Sequence, residues 1–313
     1  RIAPEGEMIP TCPGVRSPGG IGFNEAGDCF FTDNQGPWNG SSALKWLKPG
    51  SFQGNPLGNK WHELADLPKP PEPKDKSRIL TERKRFPEFM PPAVVLPHTR
   101  VGQSPTAIVL DDTGGKFGPF AGQMLIGEQT HSQVQRVCLE KVNGLYQGAV
   151  FHFLDGFEAG IVPMRLASGG TLFVGGTNRG WASRGTKPFT FERVRWNGRL
   201  PFEIHTMSAT HDGFELTFTK PVDRATAADP ANYAMQAWTY IYQSEYGSPE
   251  VDQATPEIKR ATVSPDNLKV RLEIEGLVQG HVHHLDATKL KSADGESLWH
   301  PEGWYTLNEI PER

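Results

Sequence analysis

Three stretches of the chain repeat one pattern, in which an apolar strand, a turn rich in Gly or Asp and a second apolar strand follow each other. The three copies occupy residues 17–33, 104–127 and 160–175. Strand pairs repeated at spacings of tens of residues are typical of β-propeller blades, because one blade cannot bury its apolar face alone. The repeat therefore predicts a propeller-like part with about three blades, which is too few to close a ring.

Composition narrows the class of protein further. The 34 glycines and 27 prolines lie mainly between apolar runs, which suits short strands joined by tight turns. A net charge of −4 shows no basic excess and argues against nucleic acid as a partner. No apolar run reaches the roughly twenty residues of a spanning helix, so no transmembrane segment is expected. The start at Arg1–Pro4 lacks the layout of a signal peptide, and we interpret it as an arbitrary cut in a longer or processed product.

The pattern changes along the chain and predicts two domains. Residues 1–200 carry the blade-like repeats, together with a Pro- and charge-rich stretch at 67–97 that we expect to form an ordered surface loop. Beyond them, apolar and polar residues alternate in segments such as 213–219 and 269–274. Short alternating strands over about a hundred residues are typical of a small β-sandwich. The predicted fold is all-β, a partial propeller followed by an Ig-like β-sandwich at 202–313.

Three motifs lie near the start of the chain: Arg-Ser-Pro-Gly-Gly-Ile at 16–21, Thr-Asp-Asn-Gln-Gly-Pro at 32–37 and Lys-Pro-Gly-Ser-Phe-Gln-Gly-Asn-Pro at 48–56. Together they resemble the glucose/sorbosone dehydrogenase family, and within it the sorbosone-dehydrogenase-like branch. The resemblance implies that residues 1–200 are the C-terminal part of a propeller of about six blades. It also implies oxidation of a sugar or polyol with pyrroloquinoline quinone (PQQ) and calcium, a cytochrome as electron acceptor, and a periplasmic or extracellular location.

The resemblance assigns roles to individual residues. Arg16 matches the family's cofactor arginine, which suits a quinone with three carboxylates. Gly36 and Pro37 match the backbone carbonyls that bind calcium, and Asp33 in the same turn offers a further oxygen, although an Asx-turn explains that aspartate equally well. Thr130 occupies the position of a cofactor lysine. That replacement, with the absence of a paired arginine before the next strand, removes most of the expected positive charge.

Further candidates come from the ends of the repeated strands. His98 and His131 occupy equivalent positions ahead of successive strands, at one rim, and are candidate proton acceptors; the alternative is that they are structural loop histidines. Arg179 follows the last repeat and is expected to face the cofactor, with Trp181 as a sugar-stacking platform or as a packing residue. His residues at 281–284 would give at most a weak metal pair.

Two functions remain open at this point. The first is an oxidoreductase of the sugar dehydrogenase type that uses PQQ and calcium. The second is a non-catalytic exported scaffold that binds carbohydrate or protein, which the missing basic positions favour. The chain has no Walker loop, dinucleotide fingerprint, Gly-x-Ser-x-Gly elbow or His-Glu-x-x-His motif, so nucleotide cofactors and the commonest hydrolase designs lack support.

Overall fold

The protein is built almost entirely from antiparallel strands. The computed structural model describes residues 1–65 and 68–313. The strands are β1 Pro18–Phe23, β2 Cys29–Asp33, β3 Ser42–Trp46, β4 Val94–Leu96, β5 Pro105–Leu110, β6 Met124–Glu128, β7 Gln133–Val142, β8 Leu145–Leu154, β9 Ile161–Ala167, β10 Thr171–Thr177, β11 Phe189–Arg195, β12 Ile204–Thr210, β13 Gly213–Phe218, β14 Ala234–Tyr240, β15 Glu250–Ala254, β16 Glu257–Val263, β17 Lys269–Glu275, β18 His281–Asp286 and β19 Glu302–Leu307. The helices are α1 Ile79–Arg85 and α2 Arg224–Ala227, with 3-10 segments at Pro56–Ala65 and Pro230–Asn232.

Each sequence repeat forms an antiparallel hairpin, as predicted. The hairpins are β1–β2, β5–β6 and β9–β10. They extend into sheets of order β1-β2-β3-β4 and β11-β10-β9, and into one end of a larger sheet that contains β5-β6-β7-β8. Asn143 and Gly144, both with positive φ (48° and 81°), make the tight turn between β7 and β8. The all-β prediction is confirmed, and the sheets of the described residues are open rather than closed.

The first strands of the three hairpins lie side by side. A Cβ placed on Gly20 of β1 would lie 2.3 Å from the carbonyl oxygen of Thr106 in β5, so only glycine allows this approach. Thr32 Oγ1 donates to the same carbonyl at 2.9 Å, and Thr106 Oγ1 donates to the carbonyl of Ile161 in β9 at 2.9 Å. Neighbouring blades would meet through such strands. Closure into a six-bladed ring stays a prediction.

The C-terminal strands form two facing layers. One layer has the order β12-β13-β17-β16, and the other is formed by β15-β14-β18-β19. Phe214, Leu272, Leu285 and Tyr305 belong to the core between them, which also includes Phe151 of β8. An Ig-like topology for this part stays a prediction, as does the domain boundary near residue 200.

One sheet crosses that boundary. Strand β19 pairs with β8, with Trp304 opposite Val150 and Thr306 opposite Gly148. The hydrogen-bonded order is therefore β15-β14-β18-β19-β8-β7-β6-β5. Strands β5–β8 and the C-terminal strands thus share backbone hydrogen bonds as well as a core.

The stretch at 67–97 is more structured than a surface loop; its first residue, Leu67, lies outside the described residues. Helix α1 and strand β4 lie within it. Phe89 is buried against Phe52 and Tyr242, with ring centres 5.4 and 5.3 Å away. Most residues of the segment are polar or charged, but its few apolar side chains pack into a small separate core. This core holds the segment in a defined conformation.

Within residues 1–65 and 68–313, every helix is too short or too polar to cross a bilayer.

Candidate functional site

Two loops at one end of the large sheet carry His98 and His131. A buried carboxylate, that of Glu128 at the end of β6, holds both loops in place. It accepts hydrogen bonds from the backbone N–H groups of Gln103 (3.0 Å), Ser104 and His131. Glu128 has no exposed surface, and both of its carboxylate oxygens accept hydrogen bonds from backbone N–H groups. It therefore acts as a structural clamp between the two loops. The clamp brings the two sequence-predicted histidines into the same region.

The surroundings of the His98 imidazole lower its pKa. Burial lowers the pKa of His98, repulsion from His131 lowers it further, and Glu128 acts in the opposite direction. His98 is therefore neutral at neutral pH and has a lone pair that can accept a proton. Nδ1 of His98 and Nε2 of His131 are buried and have no hydrogen-bond partner among the described residues.

His131 lines a polar cleft of about 430 Å³, which we call the histidine cleft; it also contains His152, Arg184, His300 and Glu302. His152 lies at the end of β8 and Glu302 at the start of β19, so the pairing of these two strands creates the cleft. Burial lowers the pKa of His152, and the nearby His300 adds to this effect. His152 therefore lines the histidine cleft as a neutral imidazole at neutral pH.

A second and larger cavity of about 690 Å³ adjoins it, which we call the aromatic cleft. Phe120 and Phe153 form part of its wall and meet edge to face at 5.3 Å. Trp196 and Trp299 flank it with 40% and 69% of their surfaces exposed, so both indoles are accessible to a ligand. The two clefts share the residues Phe153, Leu154, Trp299 and His300, and so form one continuous depression, which we call the joint cleft.

A carboxylate–imidazole pair lies where the clefts meet. Glu203, 1% exposed, precedes β12, and its Oε1 lies 2.7 Å from Nδ1 of His300. A carboxylate can only accept, so in this contact the Nδ1–H of His300 donates. When His300 is neutral, its lone pair is therefore on Nε2, the ring nitrogen that can contact a ligand in the two clefts. Glu203 Oε2 is buried without a partner among the described residues.

The tautomer of His300 can be measured directly. We expect the neutral ring to carry its proton on Nδ1 because Glu203 accepts there. Histidine-selective 15N labelling distinguishes the two ring nitrogens, and the spectrum of His300→Gln assigns the signals. Glu203→Leu should shift the population toward the Nε2–H form. A wild-type spectrum dominated by the Nε2–H form would contradict the assignment.

Sequence reasoning missed this pair. Glu203 and His300 are 97 positions apart, and neither belongs to a motif. Their approach depends on the packing of the two C-terminal layers, which no local pattern encodes. Arg184 was also missed: it lines the histidine cleft, and its backbone N–H donates to the carbonyl of Thr130 at 2.8 Å.

The other predicted residues lie elsewhere or have structural partners. Arg179 is exposed and lies outside the lining of both clefts, as does Trp181. Thr130 Oγ1 hydrogen-bonds Ser104 Oγ at 3.1 Å, which ties together the two loops that carry His98 and His131. Of the predicted site residues, His131 lines the joint cleft, and His98 and Thr130 lie in the loops around it.

The residues expected to hold PQQ are engaged by the chain itself. Arg16 Nη1 donates to the carbonyls of Asn34 (3.2 Å) and Gln35 (2.6 Å), and its guanidinium lies 5.3 Å from the ring centre of Tyr246. A Cβ on Gly36 would lie 2.0 Å from that guanidinium, so no space remains between them. The arginine therefore holds a turn together, and the arrangement does not fit a carboxylate-rich quinone.

The expected calcium ligands are similarly occupied. The carbonyl of Gly36 accepts from the backbone N–H groups of Asn39 (3.0 Å) and Gly247 (3.2 Å), and that of Pro37 accepts from Asn55 Nδ2 (3.4 Å). Asp33 forms a buried ion pair with Lys45 at 2.9 Å. Such a donor set does not fit a hard cation that needs six or more oxygens.

The His residues near position 283 likewise form no metal centre. Burial lowers the pKa of His283 to about 3, and its ring packs on Phe214. Within residues 1–65 and 68–313, no group of three or more His, Cys, Asp or Glu side chains is arranged to hold a metal ion.

Comparison with known proteins gave few matches. No protein family and no curated protein matches this chain. Among solved structures, the PQQ-bound aldose sugar dehydrogenase from Streptomyces coelicolor is 17% identical over 62% of this chain and 51% of its own, with a TM-score of 0.37. Domains 1–6 of the surface layer protein SbsC are 23% identical over 36% of this chain and 14% of their own, with a TM-score of 0.27. Both TM-scores are too low to establish a common fold.

Proposed function

We propose that the protein binds a carbohydrate or a related polyol in the joint cleft. The observation that carries the proposal is the pair of accessible indoles, Trp196 and Trp299, beside the oriented His300. Apolar walls with a few converging polar groups are characteristic of small-molecule sites. An indole provides a flat apolar surface for the C–H face of a sugar ring, and polar groups around it select the hydroxyls.

The geometry supports this ligand class over a purely apolar one. His300 Nε2 accepts a hydrogen bond from a ligand hydroxyl, because Glu203 fixes the tautomer. His131 Nε2, buried without a partner among the described residues, is a second polar atom beside the cleft. An apolar ligand would leave Nε2 of His300 without water and without a partner, at a cost of about 1–3 kcal/mol.

The indole of Trp299 provides the first test. Trp299→Ala should weaken binding about five- to tenfold, because loss of a stacking contact costs on the order of 1 kcal/mol or more. Glucose, sorbitol and cellobiose are suitable probes, with affinities measured by calorimetry or by ligand-observed NMR. Trp181→Ala is the matched control, since Trp181 is equally exposed (70%) and lies outside both clefts. Equal loss in both variants, or no binding of any probe, would refute the proposal.

Oxidation of the bound sugar with PQQ and calcium is the second candidate. One observation favours it: the two histidines predicted as proton acceptors, His98 and His131, lie in neighbouring loops, and His98 is held neutral. The engaged state of Arg16 and Gly36 weighs against it. Titration with PQQ and calcium, followed by the quinone absorbance, decides between catalysis and binding alone. Export to the periplasm or the cell exterior remains part of this proposal.

A further inference from the structure

Two cysteines lie near each other in the first sheet, outside the joint cleft. Cys12, Cys29 and Cys138 all belong to the described residues and are thiols in this structure. Cys12 and Cys29 are half-buried, whereas Cys138 is buried in the core between the C-terminal layers. Of the three thiols, the first two are therefore the ones that a small oxidant can reach.

One face of β2 carries Cys29. Alternate residues of a strand point to the same face, so Cys29 shares this face with Asp33 at the other end of the strand. The segment 11–17 begins to cover that face at the Asp33 end, where the backbone N–H of Ser17 donates to Asp33 Oδ1 at 2.7 Å. Cys12 lies toward the other end of this segment.

The middle of the segment is tied to the same face through Lys45 of β3. Lys45 lies opposite Phe31, midway along β2. Its Nζ donates to the carbonyl of Gln53 at 3.1 Å, and the backbone N–H of Gln53 donates to the carbonyl of Pro13 at 2.9 Å. The segment therefore follows β2 toward the end that carries Cys29.

The residues that follow β3 contact both cysteines. The backbone N–H of Leu47 donates to the carbonyl of Cys29 at 2.9 Å, and Cys12 Sγ donates to the carbonyl of Lys48, the next residue, at 3.0 Å. Burial raises the pKa of the Cys29 thiol, and the charge of a Cys12 thiolate raises it further. An electrostatic effect of this kind requires the two sulfur atoms to be near each other.

We propose that Cys12 and Cys29 are a redox-sensitive site, at which a disulfide bond joins the segment 11–14 to β2. In the thiol state this segment is held by backbone hydrogen bonds of 2.9–3.0 Å to its carbonyls, donated by Gly50, Gln53 and Asn55. A disulfide closes the loop 12–29 and removes conformations in which the segment is detached. The site lies outside the lining of both clefts and does not depend on the carbohydrate proposal.

The oxidant is a small disulfide such as oxidised glutathione. The thiolate of one cysteine attacks a sulfur atom of this disulfide, which releases one glutathione thiolate and leaves a mixed disulfide on the protein. The thiolate of the other cysteine then attacks the protein sulfur and displaces the second glutathione. The two protein thiols lose two electrons and two protons, and the oxidised glutathione takes them up to become two glutathione thiols.

The bond can be detected directly in the native protein. It is incubated with oxidised glutathione at mildly alkaline pH, because burial raises the pKa of both thiols, and the remaining thiols are blocked with N-ethylmaleimide in urea. Trypsin then separates the cysteines, since Cys12 belongs to peptide 2–16 and Cys29 to peptide 17–45. We expect mass spectrometry of the unreduced digest to show these two peptides joined, with N-ethylmaleimide on Cys138. Separate glutathione adducts on Cys12 and Cys29, or two unmodified thiols, would overturn the proposal.

Variants test whether the bond holds the segment. In the oxidised wild type, hydrogen exchange at the backbone N–H groups of Gln53 and Asn55 should slow about tenfold or more, and dithiothreitol should reverse the effect. Cys29→Ser should instead collect a glutathione adduct on Cys12, with unchanged exchange. Cys138→Ala is the matched control and should behave as the wild type. Joined peptides without slower exchange would show that the bond does not hold the segment, and would refute this role.

Discussion

Replacing Asp33 by alanine is expected to lower the free energy of unfolding by about 3–5 kcal/mol, because it leaves an ammonium group buried without its counterion. The side chains of Lys45 and Asp33 are 4% and 0% exposed and lie 2.9 Å apart. Lys45 Nζ would retain only the carbonyl of Gln53 at 3.1 Å, and the backbone N–H of Ser17 would lose its acceptor. Urea unfolding followed by circular dichroism measures the change.

Two further variants separate a structural role from a metal-binding one. Asp33→Leu combined with Lys45→Met removes both charges and should recover much of the loss, as replacement of buried ion pairs by apolar residues often does. Asp112→Ala, an exposed aspartate, should have little effect. If calcium raised the melting temperature of the wild type but not that of the Asp33 variant, Asp33 would be a metal ligand after all.

Arg136→Leu is expected to lower the free energy of unfolding by about 2–4 kcal/mol, because buried carbonyls lose their donors and a cavity opens. Arg136 is 1% exposed in the middle of β7. Its guanidinium donates to the carbonyls of Ile204 (2.7 Å) and His205 (2.9 Å) and lies 4.0 Å from the ring centre of Phe120. Burial lowers the pKa of Arg136 to about 10, so the side chain is still charged at neutral pH.

This arginine joins the sheet that contains β5–β8 to the first C-terminal strand, β12. Its loss should therefore destabilise both parts together, in a single transition, and differential scanning calorimetry checks this. Arg165→Leu, at an exposed position of β9, is the control. Two separated transitions in the wild-type protein would show that the coupling is weaker than the contacts indicate.

The features of the fold that could be predicted from the sequence are those that depend on residues close together in the chain. The hairpins β1–β2, β5–β6 and β9–β10 follow from local alternation and turn chemistry, and so does the Asn143–Gly144 turn. His98 and His131, predicted for successive repeats, lie instead in two loops of one sheet, before β5 and between β6 and β7, and their role stays a prediction. Repetition along the chain thus predicted the strand pairs.

What escaped prediction depends on contacts between distant residues. The loop at 243–247 fills the surroundings of Arg16 and Gly36, where Gly247 and Tyr246 make contacts that a motif comparison cannot foresee. The Glu203–His300 pair and the pairing of β19 with β8 likewise join residues far apart in sequence. Periodicity describes which face of a strand is buried but not which partner covers it.

The pairing of β19 with β8 also constrains how the protein is made. A blade that needed only its own strands would be complete as soon as its last strand left the ribosome. In this protein the outer edge of β8 stays unpaired until Trp304 and Thr306 of β19 have been synthesised, long after Val150. Until then the nascent chain presents an unpaired strand edge and the apolar side chain of Phe151, both of which favour aggregation. The pairing of β19 with β8 thus leaves the middle of the chain incompletely paired for most of the time that this region is being synthesised.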